Sequence, residues 1–259
     1  MNIVVCVKHV PDAQGERGFS DDNTTDRENV DGLLSELDEY AVEAALKITE
    51  AEGGEVTALT VGPADAVDAV KKALQMGADK AVHVSDDAIA GSDALATSLI
   101  LAEAIKKVGQ PDIVLFGLAS TDGGMSVVPA MVAERLGLPQ VTQVSTLEVA
   151  DGNVTGRRDS DVASETLVAS IPAVVSVTDQ INEPRYPSFK GIMAAKKKPV
   201  EEMSLGDLGV DAGQVGLDNA STKVLDTTKR PPREQGEVIT DEGDGGKKLV
   251  EFLAGQKLI

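Results

Sequence analysis

Ser120-Thr121-Asp122-Gly123-Gly124 is the stretch best suited to ligand chemistry, set between the apolar run Ile113–Phe116 and a helical pattern opening at Val128. Small side chains let backbone amides approach a phosphate, and the helix start behind them supplies a dipole that favours an anion. An ordinary strand-to-helix turn uses the same residue types, so the local sequence leaves both readings open. The loop is not of the GxxxxGK[ST] kind, and no GxGxxG follows the first strand-like run. Catalytic groupings are absent. His9 and His83 lie far apart; His83 falls in a strand-like run, where a packed side chain is expected, and His9 at a strand end faces a ligand or solvent. Cys6 sits inside the first strand pattern, as a small buried hydrophobe would. No Cys/His cluster has metal-ligand spacing and there is no GxSxG elbow. With 43 acidic residues, paired carboxylates arise by chance. The pattern is that of a binding protein, not a reaction centre.

The second unusual stretch is Asn182–Lys198, NEPRYPSFKGIMAAKKK. It gathers one of two tyrosines, one of four phenylalanines and three successive lysines outside any periodic element, in a chain of net charge −19. Pro184 and Pro187 keep its first half extended, and Ile192–Lys198 is expected to form a helical turn or two. An aromatic or aliphatic anchor flanked by basic groups is the composition of a recognition loop. The plainer alternative is a connecting arm carrying a solvated lysine run.

The elements that must position these stretches follow from hydrophobic patterning. Strands are expected at Ile3–Val7, Val56–Val61, Lys80–Val84 and Ile113–Phe116, and helices at Leu37–Thr49, Ala64–Gln75, Asp93–Val108 and Val128–Leu136. Ser35 with Asp38 reads as a capping pair for the first helix, and Ser92 as the cap of the third. Pro11–Asp31 is too polar to pack and reads as a surface excursion. This alternation predicts an α/β fold with a mostly parallel, doubly wound sheet, whose ligands sit at the carboxyl ends of its strands. Thr142–Val149, Asn153–Arg158, Ser164–Ser170 and Ala173–Val177 read as added antiparallel strands. Regular patterning fades beyond Asp179, apart from a final amphipathic helix at about Lys247–Ala254. The expected organisation is an α/β domain at 1–181, a recognition loop at 182–198 and an extended C-terminal arm at 199–259.

Composition narrows the function classes. Hydrophobic residues make up 42% of 259 and aromatics 2%, so the core is built from Val, Ile, Leu and Ala. The scarcity of aromatics argues against a base-stacking surface, and the negative charge against nucleic acid altogether. No apolar run spans a bilayer, the chain opens on a strand-like run with no signal-peptide pattern, and a lone cysteine fits a reducing compartment. Cytoplasmic residence without membrane insertion is therefore expected.

Asn182–Lys198 closely resembles a segment of electron transfer flavoprotein β subunits, in which N-E-P-R-Y runs into I-M-x-A-K-K-K. The pieces Val4-Cys6-Val7-Lys8, Asp38–Ala45, Gly62-Pro63, Ala73–Asp79 and Asp207–Val210 agree in order, so the resemblance covers essentially the whole chain. It implies an adenine nucleotide α-hydrolase-like fold that binds AMP. It implies a heterodimer with an α subunit that carries most of an FAD site, and a C-terminal arm packed on that subunit. Electrons would arrive from acyl-CoA and related dehydrogenases and leave to a quinone oxidoreductase. By position, the implied nucleotide contacts are Cys6, Ser35, Glu36, Leu37, Asp38, Val61, Gly117, and Ser120, Thr121, Asp122, Gly123, Gly124, Met125, Ser126, Val127 and Val128. The implied partner contacts are Arg185, Tyr186, Phe189, Ile192, Met193, Lys196, Lys197 and Lys198. Three places depart from the family pattern. Ser35-Glu36 replaces Asn-Pro, Gly124–Pro129 lacks the usual Thr and Gln, and Phe189-Lys190 replaces Leu-Pro. Two other readings are compatible with the fold: a bifurcating carrier with a second FAD in place of AMP, and a flavin-free nucleotide-sensing protein of the stress type.

Overall fold

The structure, a computed structural model, describes residues 1–15, 17–233, 235–236 and 238–259. Its strands are β1 Asn2–Cys6, β2 His9–Pro11, β3 Gly32–Leu34, β4 Glu55–Val61, β5 Lys80–Val84, β6 Ile113–Phe116, β7 Gln140–Val144, β8 Thr146–Ala150, β9 Asn153–Asp159, β10 Ser164–Ser170, β11 Ala173–Val177 and β12 Val200–Met203. Its α-helices are α1 Glu36–Glu52, α2 Val67–Met76, α3 Ala94–Val108, α4 Val128–Leu136, α5 Phe189–Ala195, α6 Leu205–Leu208 and α7 Gly245–Gly255.

Seven strands form one parallel sheet in the order β12-β5-β4-β1-β6-β11-β7. The side-chain alternation of β1 shows how it is covered. Ile3, Val5 and Val7 point into a core with α1 and α2, whereas Val4 and Cys6 point into a second core with α3, α4 and α6. A strand buried on both faces needs a continuous apolar run, which is why these strands were legible. The chain first runs outward from β1 through β4 to β5, then returns to place β6 on the other side of β1. That reversal makes the carboxyl ends of β1 and β6 the switch point, where sheets of this kind place their ligand crevice.

Four expectations need correction. The presumed strand Thr142–Val149 breaks at Ser145, whose amide and hydroxyl both bond the Arg157 carbonyl. Its first half is β7 of the parallel sheet, and β11 is parallel too. The antiparallel addition is a separate sheet, β10-β9-β8, whose inner residues Leu147, Val149, Val154, Leu167 and Ala169 pack on the α1/α2 core. Regular structure also continues past Asp179, because β12 joins the sheet as an edge strand on β5. Lastly, Asp93 caps α3, while the Ser92 hydroxyl accepts from the Gly216 amide. Met1–Leu225 is one compact unit and Asp226–Ile259 a second, which contains α7 with Leu249, Val250 and Phe252 exposed. Among the described residues, no helix is long and apolar enough to cross a membrane.

Candidate ligand crevice and docking segment

Asp38, on the first turn of α1, lies at the switch point and is 6% exposed. Its Oδ2 accepts from the Lys8 amide at 2.9 Å, and its carboxylate lies beside the Gly117 amide, so one side chain ties the ends of β1 and β6. Burial pushes its carboxyl up to about 7, against the lowering pull of the Lys8 amide, the Lys8 charge and the Gly117 amide; the Asp122 charge adds to the rise. Gly117 makes this approach possible. A Cβ there would lie 2.5 Å from the Leu37 carbonyl oxygen and 2.6 Å from Asp38 Oδ1.

Asp122 is the second anchor. Burial favours its neutral form, but Lys8 and Arg27 overcome this and hold its carboxyl well below the usual carboxylate range. Lys8 Nζ donates to Oδ1 at 3.0 Å and Arg27 Nη2 to Oδ2. Arg27 also donates to the His9 carbonyl, and Arg17 to the Thr121 carbonyl at 2.7 Å. The polar stretch between β2 and β3 is therefore latched onto the β6–α4 loop, not left on the open surface. Sequence reasoning placed Lys8 at a ligand-facing strand end but missed Arg17 and Arg27 as members of this site. The one available signal was the pair of arginines inside an otherwise acidic excursion.

The expected capping pair does not form. Ser35 stands at the N-cap of α1 without a side-chain cap bond, the Asp38 amide bonds the Ser35 carbonyl instead, and the Ser35 hydroxyl is buried without a partner among the described residues. In the loop, Gly124 and Ser126 adopt φ of 61° and 57°, and no described protein group accepts from the amides of Met125, Ser126 or Val127. Ser120 and Thr121 are half-buried, whereas Glu36, Gly123, Gly124 and Met125 are exposed. Leu37 and Val128 are half-buried at their helix starts, and Val61 ends the neighbouring strand β4. The Cys6 side chain turns into the α3/α4 core, where burial, with the Asp38 charge, pushes its thiol up; it is a packed hydrophobe at the crevice floor. His83 is packed as expected, its Nε2 lying 3.2 Å and 3.1 Å from the Gly62 and Pro63 carbonyl oxygens.

The Asn182–Lys198 segment is held on α1 and α2. Asn182 Nδ2 donates to the Tyr40 carbonyl at 3.0 Å, and Arg185 grips Glu43 and Glu50 on α1. The helix expected at Ile192–Lys198 starts earlier, at Phe189, because the Ser188 hydroxyl accepts from the Gly191 amide and caps it. Tyr186 is 93% and Phe189 81% exposed, with Met193, Lys196 and Lys197 also outward and Ile192 just exposed. Lys198 turns inward to three carbonyls of α2 and its following turn.

Two motif pieces remote in sequence, Asp38–Ala45 and Asn182–Lys198, thus clasp each other on α1. The electron transfer flavoprotein domain matches residues 22–208. The chain belongs to the electron transfer flavoprotein family. It is 52% identical to an electron transfer flavoprotein subunit beta of Mycobacterium leprae, over 100% of this chain and 99% of the relative. It is 49% identical to the subunit of the same name in Mycobacterium tuberculosis, with the same coverage. It is 36% identical to the caffeyl-CoA reductase-Etf complex subunit CarD of Acetobacterium woodii, over 93% and 92% of the two chains. Membership makes it a β-type electron-carrier subunit, not an enzyme, in a family whose name specifies flavin-linked electron transfer.

Proposed function

We propose that the chain pairs with an electron transfer flavoprotein α subunit, holds AMP in the β1/β6 crevice, and completes the binding site of an FAD carried mostly by that partner. The flavin supplies the redox chemistry when bound; this chain's residues bind, orient and exclude water. The observation that carries the nucleotide reading is the crevice itself. It joins, among the described residues, an unpartnered buried hydroxyl at Ser35 and three amides without protein acceptors at Met125–Val127. Lys8 and Arg27 offset Asp122 and leave a local positive excess for a phosphate. The missing Thr and Gln of the family loop fit the same picture, with backbone amides and Ser126 taking over phosphate contact.

The outward face of Tyr186–Lys197 suits transient docking of acyl-CoA and related dehydrogenases, with Phe189 as anchor and the lysines steering toward an acidic partner. A quinone oxidoreductase would take the electrons onward, in the cytoplasm or at its membrane surface. The second unit, Asp226–Ile259, would pack its apolar helix face on the α subunit.

Identification of the nucleotides released from the complex co-expressed with its α subunit tests this reading. One FAD and one AMP per heterodimer is the expected result. Two FAD and no AMP would replace AMP binding by the second-flavin reading, which the resemblance to a reductase-complex subunit makes worth separating. A flavin-free complex would overturn both.

A further inference from the structure

The Asn182–Lys198 segment is fastened at both ends by side chains that the sequence had assigned to a partner. At the first end, Arg185 Nε and Nη2 donate to the two oxygens of Glu43 at 2.6 and 3.1 Å. Nη1 and Nη2 donate to the two oxygens of Glu50 at 2.6 and 3.1 Å, and the Arg185 amide donates to Glu43 at 3.2 Å. Glu43 is 3% exposed, so this planar fork satisfies a buried carboxylate that would otherwise be costly. At the other end, Lys198 Nζ donates to the carbonyls of Leu74, Gly77 and Ala78 at 3.1, 3.1 and 2.6 Å, using all three protons. These carbonyls belong to the C-terminal end of α2, where a helix leaves its acceptors unpaired and a cation is favoured. Between the two ends, α5 rests on α2 through Gly191, where a Cβ would stand 2.6 Å from the Gln75 carbonyl oxygen. Among the described residues, Lys190, Lys196 and Lys197 form no ion pair.

We propose that Arg185 and Lys198 are positioning residues: they hold the docking segment in shape before any partner arrives, and only Tyr186, Phe189, Met193, Lys196 and Lys197 meet the dehydrogenase. The proposal rests on the docking reading given above and divides seven of its eight residues into two kinds. A segment ordered in advance loses less freedom on association, so loosening either end weakens docking without removing a contact. The lysine run is thereby split. Lys196 and Lys197 act through their charge, and Lys198 acts through hydrogen bonds to α2.

The test uses the flavin-loaded heterodimer as electron acceptor of an acyl-CoA dehydrogenase and its acyl-CoA substrate, followed over a range of salt concentrations. Lys198→Met is expected to raise the KM for the carrier by about tenfold with kcat within about twofold, as loss of preorganisation predicts. The salt dependence of kcat/KM should stay that of the native carrier. Lys197→Met should flatten that salt dependence, since a rim charge acts on encounter. Hydrogen exchange in Lys198→Met should quicken over residues 186–197 while α1 keeps its protection. Arg185→Lys should give the same KM effect, because an ammonium cannot bridge two carboxylates as the fork does; it also serves if Lys198→Met fails to assemble. Salt dependence altered as much by Lys198→Met as by Lys197→Met would overturn the division, as would an unchanged KM in a background where Phe189→Ala slows transfer. If Phe189→Ala also has no effect, the docking reading itself fails.

Discussion

The crevice and the docking segment use charge in opposite directions. In the crevice, charged side chains face inward to hold backbone in place: Asp38 ties two strand ends, and Asp122 latches the excursion through Lys8 and Arg27. What remains for a ligand is largely main chain, the amides of Met125–Val127. In the docking segment, Arg185 and Lys198 do the holding from the ends, and what remains for a partner is side chain, above all Tyr186 and Phe189. The contrast suits the two tasks. In the proposed function, a resident small molecule would be gripped by fixed dipoles, while a partner that must leave would be met by a small exposed patch.

The sharpest way to break the contrast is to fill the crevice floor. Gly117→Val forces a side chain against the Leu37 carbonyl and Asp38, and is expected to cost ~3 kcal/mol by overpacking. Nucleotide content and urea midpoint should fall together, while the protection of residues 182–198 from proteolysis stays close to native. Loss of both regions in step would mean that they form one unit.

Acidity gives a second comparison. Asp38 holds its proton more tightly folded, at about 7, than in the unfolded chain, near 3.9. The folded state therefore binds more protons between those values. Asp38's contribution is full below about pH 4 and is lost as pH rises through about 7, with a slope of at most ~1.4 kcal/mol per pH unit. Asp38→Asn should flatten stability over that window. Asp122 acts in the other direction, its contribution being lost only in acid. A native profile already flat from pH 4 to 7 would remove Asp38 from the account.

The smallest effect is expected for Asp122→Asn. The cations on Asp122 are about a third exposed, so solvent screens much of their attraction, and the loss should be about 1 kcal/mol. Limited proteolysis should nevertheless cut the 12–31 stretch faster, with docking kinetics unchanged. Unaltered cleavage there would show that the bonds of Arg17 and Arg27 to backbone carbonyls suffice to secure the excursion.

What the sequence made legible follows from what each residue must satisfy. Lys80–Val84, Ile113–Phe116, Ser164–Ser170 and Ala173–Val177 were bounded correctly because strands joining a core carry an apolar pattern between turn residues. Val200–Met203 escaped notice because an edge strand can carry Glu201 and Glu202 toward water, and its partner β5 lies more than a hundred residues earlier. The glycine loop was readable at the switch point, since its small residues are local. Its clamps were not: Lys8 and Arg27 reach Asp122 across 114 and 95 positions, and pairing over such distances leaves no periodic trace. The inward bonds of Lys198 were illegible for a related reason, because a run of three lysines looks like one solvated face even when one of them turns inward.

The connection from β11 to β12 passes from one side of the parallel sheet to its far edge, across five inter-strand steps of about 4.8 Å, or roughly 24 Å. The docking segment is the middle of that crossing. A chain emerging from synthesis reaches Phe189 before β12 exists, and the tether at Lys198 needs α2 already wound. If the proposed docking role holds, the surface offered to electron donors takes shape only once α1 and α2 are in place to receive Arg185 and Lys198.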